Sequence, residues 1–325
     1  MNISLVIISK NHRPDLSRLL QSLVELKAEA GFEIVVVEAT DEDDLVCPAA
    51  KYIRIPAEKS GFGCQRNLGA KNASAEFILF VDDDVVLAPG WYSRLVSTAE
   101  AEGDSLGVMG AVFPLEPSLV GFCEGVLGHP GGGFRLHHAA QGRICPLSQV
   151  ATLNTIMKKS VIEEVGGFDE QLKYGSEDSD ISIRITLKYG PNKFRYDPGA
   201  LVYHKPRNRI DKIIPWYIRR GKADADLVLK HPSHRRYFFS SSILLKIIPV
   251  ALLSWILQTA WIMAGAFILW SSLQLIRNRF MRDYFKTAHF GRAKRALCLI
   301  LFPGIKLTAD LMFDVGRILR LCRRS

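Results

Sequence analysis

Phe77-Ile78-Leu79-Phe80-Val81-Asp82-Asp83-Asp84 is the stretch on which the reading of this chain turns. Five apolar residues bounded by polar ones, with Pro89-Gly90 a few positions on, predict a buried strand. A buried strand that ends in three carboxylates ends in concentrated negative charge, which is costly unless a cation neutralises it. Hard divalent cations such as Mg²⁺ or Mn²⁺ take carboxylate oxygen, and Mg²⁺ commonly shares its shell between one or two carboxylates and substrate phosphates. Strand ends in open α/β sheets are also where ligands bind. A metal–diphosphate site is one reading of the triplet. A solvated acidic turn is the other, and the triplet alone does not separate them.

The flanking sequence builds an α/β pattern around this strand. Ile3 to Ile8 predicts a buried first strand. A helix opens at Pro14, with Leu16, Leu19, Leu20, Leu23 and Leu26 at helical spacing, and ends at Gly31. Strands follow at Glu33–Val37 and Lys51–Ile55, and Gly61–Asn72 reads as a loop leading into a short helix. Beyond the triplet, Pro114 to Pro146 reads as a long irregular excursion containing Gly131-Gly132-Gly133 and His129, His137 and His138. The sequence then predicts a strand over Ala151–Met157, a helix over Glu177–Tyr189, a strand near Ala200–Tyr203 ending at His204, and a basic amphipathic helix over Ile210–Lys230. Alternating strands and helices imply a mostly parallel sheet covered on both faces. The polar groups that end neighbouring strands then converge on one crevice: Ser9 and Asn11, Glu38, and the Asp82–Asp84 cluster.

Bulk properties bound the rest. The chain has 325 residues, 48% hydrophobic, with a net charge of +9. Its six cysteines are scattered with no CxxC pair, which argues against a zinc cluster or a disulfide scaffold and fits a reducing compartment. Ile3–Ile8 has no basic segment before it and is too short for a signal-peptide core, so the first domain is expected in the cytoplasm. Ile247 to Ile276 contains no Asp, Glu, Lys or Arg, long enough to cross a bilayer. Arg277, Arg279, Arg282, Lys286, Arg292, Lys294 and Arg295 follow it, and Arg317, Arg320, Arg323 and Arg324 come later. Basic charge on both flanks of an apolar run points to anionic lipid and favours a re-entrant hairpin or a second crossing; it makes nucleic acid a poor partner. Ala296–Phe313 is the candidate for that second crossing, but Lys306, Asp310 and Pro303 favour an in-plane amphipathic helix.

Ser4-Leu5-Val6-Ile7-Ile8-Ser9-Lys10-Asn11, Glu33-Ile34-Val35-Val36-Val37-Glu38, Gly61-Phe62-Gly63-Cys64-Gln65-Arg66-Asn67-Leu68-Gly69, Phe80-Val81-Asp82-Asp83-Asp84 and Gly166-Gly167-Phe168-Asp169-Glu170 followed by Glu177-Asp178-Ser179-Asp180 stand in that order. The set, over roughly Ile3 to His204, resembles the family 2 glycosyltransferases. That resemblance implies a GT-A fold, the Rossmann-like fold of nucleotide-diphospho-sugar transferases. It departs from the family at Ile8 and Lys10, where proline and tyrosine are usual, at Glu38, where aspartate is usual, and at Gln65, where alanine is common.

The resemblance implies an inverting transfer of a sugar from a nucleoside-diphosphate donor to an acceptor hydroxyl, assisted by Mn²⁺ or Mg²⁺. Asp84 and Asp82 are the implied metal ligands, and His204 is either a third ligand or a satisfied core histidine. Asp178 is the implied general base, with Glu177 orienting the acceptor or the base. Ser9, Asn11, Glu38, Arg66, Asp82 and Asp83 are the implied donor contacts, with Arg66 on phosphate or on a nearby acid. Asp178 and Asp180 also suit the first turn of a helix, and Asp180 has Arg184 at i,i+4 spacing. The domain reading is a transferase domain over 1–235 and membrane-associated helices over 236–325. Membrane lipids and a lipid-linked saccharide follow as partners, at the cytoplasmic face of the cell membrane. Trp216-Tyr217-Ile218-Arg219-Arg220 does not match the Gln-x-x-Arg-Trp of processive synthases, so one sugar per encounter is expected. Two other readings stand beside this one. A sugar nucleotidyltransferase would carry a glycine-rich loop after the first strand, and a non-catalytic membrane adaptor would be expected to lose its acidic groups.

Overall fold

The computed structural model describes residues 1–11, 13–42 and 47–322; Arg323 and Arg324 of the basic C-terminal cluster lie outside the described residues. In chain order the elements are β1 (Ile3–Lys10), α1 (Arg13–Ala30), β2 (Glu33–Ala39), β3 (Lys51–Ile55), α2 (Phe62–Asn72), β4 (Phe77–Asp82), β5 (Val85–Leu87), α3 (Trp91–Ala101), β6 (Gly107–Pro114), α4 (Leu119–Val126), α5 (Gly133–Ala140), β7 (Cys145–Leu147), β8 (Asn154–Lys158), α6 (Lys159–Glu164), α7 (Glu177–Tyr189), β9 (Phe194–His204), α8 (Ile210–Lys230), α9 (Arg235–Ser241), α10 (Leu244–Ile256), α11 (Trp261–Arg277) and α12 (Arg292–Cys322).

The described residues form two compact units, Met1–Leu115 with Gly128–Lys205, and Glu116–Leu127 with Pro206–Ser325. The first unit is built on one sheet in the order β3-β2-β1-β4-β8-β6-β9-β5, with β7 pairing β9. β3, β2, β1 and β4 run parallel; β8 reverses against β4 and β6, and β6 and β9 are again parallel, so the sheet is mixed. β1 is buried along Ile3–Ser9, as a strand with both faces covered must be. Its residues alternate between two cores: Ile3, Leu5 and Ile7 join Leu16, Leu19, Leu20 and Leu23 of α1, while Val6 joins Phe80, Phe168, Ile181 and Ile185. Gly31 stops α1 with φ of 69°, its amide bonded to Lys27 O at 2.9 Å.

Register places the strand ends level with one another. Ile8 pairs Asp82 across β1–β4, and Ser9 pairs Glu38 across β1–β2. The sheet order reverses direction on the two sides of β1, so the crevice at its carboxyl end is a topological switch point. β5 turns back antiparallel to β9, pairing Val85 with His204 and bringing the histidine to the end of the acidic triplet.

Two sequence expectations change. The 114–146 segment is not an irregular excursion: it folds as α4, α5 and β7. Ser118 caps α4, accepting bonds from the amides of Val120 and Gly121, and the glycines 128 and 131–133 take left-handed φ in the turn between the helices. The charge-free 247–276 run is two helices, α10 and α11, parted at 257–260 with Gln258 at φ 49°.

In the second unit, α8 packs along α12. The second unit takes in both this helix and α4, which the expected boundary at 235 assigns to the first domain. Gly221 and Gly316 allow the crossing: a Cβ on Gly221 would lie 1.9 Å from the carbonyl oxygen of Phe313, and one on Gly316 2.1 Å from that of Ile218. α12 is long and apolar enough to cross a membrane, and the 232–241 and 244–256 helical stretches pass the same test together but are bent by 41°.

Candidate active site

The site gathers where β1, β2, β4 and β9 end and α7 begins, all within the first unit. Asp82, Asp84 and His204 each offer one ligand atom, and these atoms lie within 4.8 Å of one another. His204 is buried; its Nε2 is 3.2 Å from Asp84 Oδ1, and its Nδ1 has no hydrogen-bond partner. A buried imidazole grouped with two carboxylates, one of them 3.2 Å from its Nε2, is the donor chemistry of a hard or borderline divalent cation, so these residues fit a metal. Burial pushes the Asp82 carboxyl above the usual carboxylate range; Arg66 opposes the shift and Asp84 adds to it. A bound cation acts against that penalty. Asp83 points elsewhere and is buried, accepting a 2.6 Å bond from Ser9 Oγ.

Arg66 is the hinge of the arrangement. It is buried in α2, and its guanidinium donates to Glu177 Oε1 and, at 3.3 Å, to Asp82 Oδ1. Of the two roles that sequence leaves open, contact with an acid is the one seen, and it joins the acidic triplet to the start of α7. Burial works against the Arg66 charge, but Glu177, Asp82 and Asp178 outweigh it and raise its pKa. Glu177 is raised chiefly by burial, with Arg66 opposing and Asp178 adding. Its second oxygen, Oε2, is buried without a partner. Asp178 is half-buried, accepts the Ser179 amide at 2.7 Å, and lies near enough to Asp82 to repel it. Ser176, before α7, takes φ of 70°, an uncommon conformation for a residue with a Cβ. Asp180 turns away from this group and pairs with Arg184 at 2.7 Å, while Arg184 also donates to the carbonyl of Gly167.

Glu38 is wholly buried, and both its oxygens are in use. Arg13 donates to them at 3.3 and 3.4 Å and the Tyr52 hydroxyl donates to Oε2. Asn11 is exposed beyond β1, with φ of 55°. Sequence reasoning missed Tyr52, which no motif marks, and the role of Gln65. The Gln65 amide donates to Ser9 O at 2.8 Å and Val37 O at 3.0 Å, tying the ends of β1 and β2 together. Asn67 of the same helix bonds Phe168 through both backbone groups and reaches Glu170, fixing the Gly-Gly-Phe-Asp segment against α2.

Residues 4–115 match the family model described as "Glycosyl transferase family 2". The chain carries a family 2 glycosyltransferase domain, and its fold is GT-A. It is 27% identical over 275 residues to a pre-mycofactocin glycosyltransferase of Mycobacterium tuberculosis, covering 79% of this chain and 53% of that one. It is 24% identical over 252 residues to the O-antigen biosynthesis protein RfbC of Myxococcus xanthus, covering 71% and 19%. The chain thus spans about half, or less, of these relatives' lengths. Among solved structures, the mannosyltransferase PcManGT of Pyrobaculum calidifontis, in complex with GDP-Man and Mn²⁺, superposes with a TM-score of 0.59 at 14% identity, covering 100% of this chain and 88% of that one. TarS of S. aureus, residues 1–349, superposes with a TM-score of 0.52 at 16% identity, covering 100% and 91%.

Proposed function

We propose that the protein transfers one sugar from a nucleoside-diphosphate donor to an acceptor hydroxyl, with inversion at the anomeric carbon. The observation that carries the reading is the joining of two carboxylate groups by Arg66. On one side stand Asp82, Asp84 and His204, which fit a cation; on the other stand Glu177 and Asp178, with an unpartnered oxygen at Glu177. A divalent cation held by Asp82, Asp84 and His204 would supply positive charge for the departing diphosphate.

The chain's own groups supply the rest. Asp178, half-open to the site, takes the proton of the acceptor hydroxyl as its oxygen bonds to the anomeric carbon and the bond to the diphosphate breaks. Glu177 is held by Arg66 through Oε1, leaving Oε2 to accept a hydrogen bond from the acceptor. A single displacement with no covalent intermediate inverts configuration. Ser9 steadies Asp83 for contact with ribose or donor sugar. Glu38, its oxygens occupied, acts at the nucleobase end through Arg13 and Tyr52, with Asn11 at the rim.

Several observations support a place at the cytoplasmic face of a membrane and a lipid-linked saccharide as acceptor. They are the apolar helices 244–277, the neighbouring cations and the likeness to an O-antigen biosynthesis protein. The test is a screen of nucleotide sugars on purified protein in detergent, with and without Mn²⁺. Metal-dependent release of nucleoside diphosphate that disappears in Asp178→Asn supports the reading. Tight nucleotide binding without turnover on any donor or acceptor would replace it with the adaptor.

A further inference from the structure

Helices α10 and α11 hold 13 and 17 residues. At about 1.5 Å per residue they are roughly 20 and 25 Å long, short of the roughly 30 Å hydrocarbon core of a bilayer. α12 has the length, but one side of it is committed to protein. Arg317 pairs with Asp224 at 2.7 Å and with Asp314 at 2.9 Å, Arg320 pairs with Asp226 at 2.7 Å, and Gly316 lies against the backbone of α8. Buried ion pairs hold that part of the helix to α8 rather than to lipid.

Most of the apolar surface left open in this unit belongs to α10 and α11, which pack on each other, with Leu297, Ile300 and Leu301 of α12 adding to it. It is widest at the break between them: Trp255 is 77% and Trp261 84% exposed, with Ile256 and Leu257 beside them. A contiguous apolar surface of this kind marks a partner. Two observations say which. First, the ends away from the break are basic, Lys246 at the start of α10, Arg277 at the end of α11 and Arg279 and Arg282 after it, while nothing charged lies between Lys246 and Arg277. Second, the break closes on itself: the amides of Leu257, Gln258 and Thr259 bond back to Leu253, Trp255 and Ser254, and the Ser254 hydroxyl donates to Thr259 O. Hydrocarbon requires that internal satisfaction of backbone groups, and the uncharged span between two basic ends matches a lipid surface.

We propose that α10 and α11 form a re-entrant hairpin that dips into one leaflet of an anionic bilayer. The break, with Trp255 and Trp261, is its deepest point, and both basic ends return to the same surface. The proposal deepens the membrane part of the reading above. It makes α10–α11, rather than α12, the membrane element, and it leaves the chain entirely on one side.

Full-length protein with single reporter cysteines at Lys246, Gln258 or Arg279, in a background whose accessible cysteines are serine, is added to sealed phosphatidylcholine–phosphatidylglycerol vesicles. An impermeant maleimide is expected to label Lys246→Cys and Arg279→Cys from outside, and Gln258→Cys only after detergent. Binding is expected to fall at least about tenfold on phosphatidylcholine alone, and likewise in the Trp255→Ser/Trp261→Ser variant. Shielding of Lys246→Cys or Arg279→Cys alone would mean a crossing and overturn the proposal. Free labelling of Gln258→Cys with vesicles present would do the same, as would its shielding without vesicles by a second copy. Transfer of the sugar to a soluble glycoside in detergent, read as nucleoside diphosphate released from the donor and measured on the same preparations, reports sugar transfer separately. Turnover without insertion removes only the hairpin, and insertion without turnover removes only the transferase reading.

Discussion

Both units bury charge, and they do so in opposite ways. In the second unit the network around Asp224, Asp226 and Asp314 is closed, although Arg220 Nε elsewhere in that unit is buried without a hydrogen-bond partner. Asp224 accepts from Arg317 and His234, Asp226 from Arg320, and Asp314 from Arg317, the Ser242 hydroxyl and the amides of Ile243 and Leu244. In the first unit the network is left open. Arg66 satisfies one oxygen each of Glu177 and Asp82, while Glu177 Oε2 and His204 Nδ1 have nothing to bond. A buried polar group without a partner costs roughly 1–3 kcal/mol, so an open network persists where something outside the chain completes it. A closed one serves packing and orientation. Buried charge by itself therefore does not mark a site; several open valences gathered beside one acidic cluster do.

The sharpest way to break this contrast is to remove one residue from each network. Asp178→Asn is expected to lower turnover about a thousandfold, the middle of the range for a lost general base, with the melting temperature unchanged. Arg317→Met leaves Asp224 and Asp314 buried without their cation and is expected to cost about 3–5 kcal/mol in urea unfolding. If Asp178→Asn unfolds the protein, or Arg317→Met is neutral, the two networks are alike and the distinction fails. Next in size is the response to metal. Mn²⁺ at about a hundred times its Kd should stabilise the native protein by roughly 2.7 kcal/mol in a thermal melt, and Asp84→Asn combined with His204→Ala should abolish the gain.

The smallest effect is a slope against pH. Burial raises the Glu177 carboxyl above its ordinary value of 4.5. In metal-free protein the native state then holds more protons than the unfolded state from that value upward. Stability accordingly falls as pH rises through the window between the unfolded and native values. Glu177→Gln should flatten this slope in melts taken across the acid range in chelator, and an unchanged slope would show that Glu177 is not the group responsible.

Much of the first unit was legible because its signals are local. An apolar run ending in Asp82-Asp83-Asp84, leucines of α1 at helical spacing and Gly31 behind them each follow from a few adjacent residues. Pairings across the fold were not legible. Nothing near Arg66 in sequence says that its partner is Glu177, 111 residues away, rather than a phosphate. Gln65 read only as a departure from family habit, yet it links two strand ends. Gly131-Gly132-Gly133 signals a loop more strongly than Ser118 signals a helix start, yet the Ser118 cap begins a helix within that segment. The break in the 247–276 run was hidden for a related reason. Hydropathy averages over Ser254 and Thr259, which fold the chain back by bonding to each other's backbone, while the Gln258 amide bonds to Trp255 O.

Asp314 carries a consequence for the order of assembly. It caps the start of α10, yet it is made about seventy residues after Ser242, whose hydroxyl it receives. During translation α10 and α11 leave the ribosome before their anchor exists. A nascent chain therefore has an interval in which the start of α10 lacks its cap, and the arrival of Asp314 on α12 then fixes it.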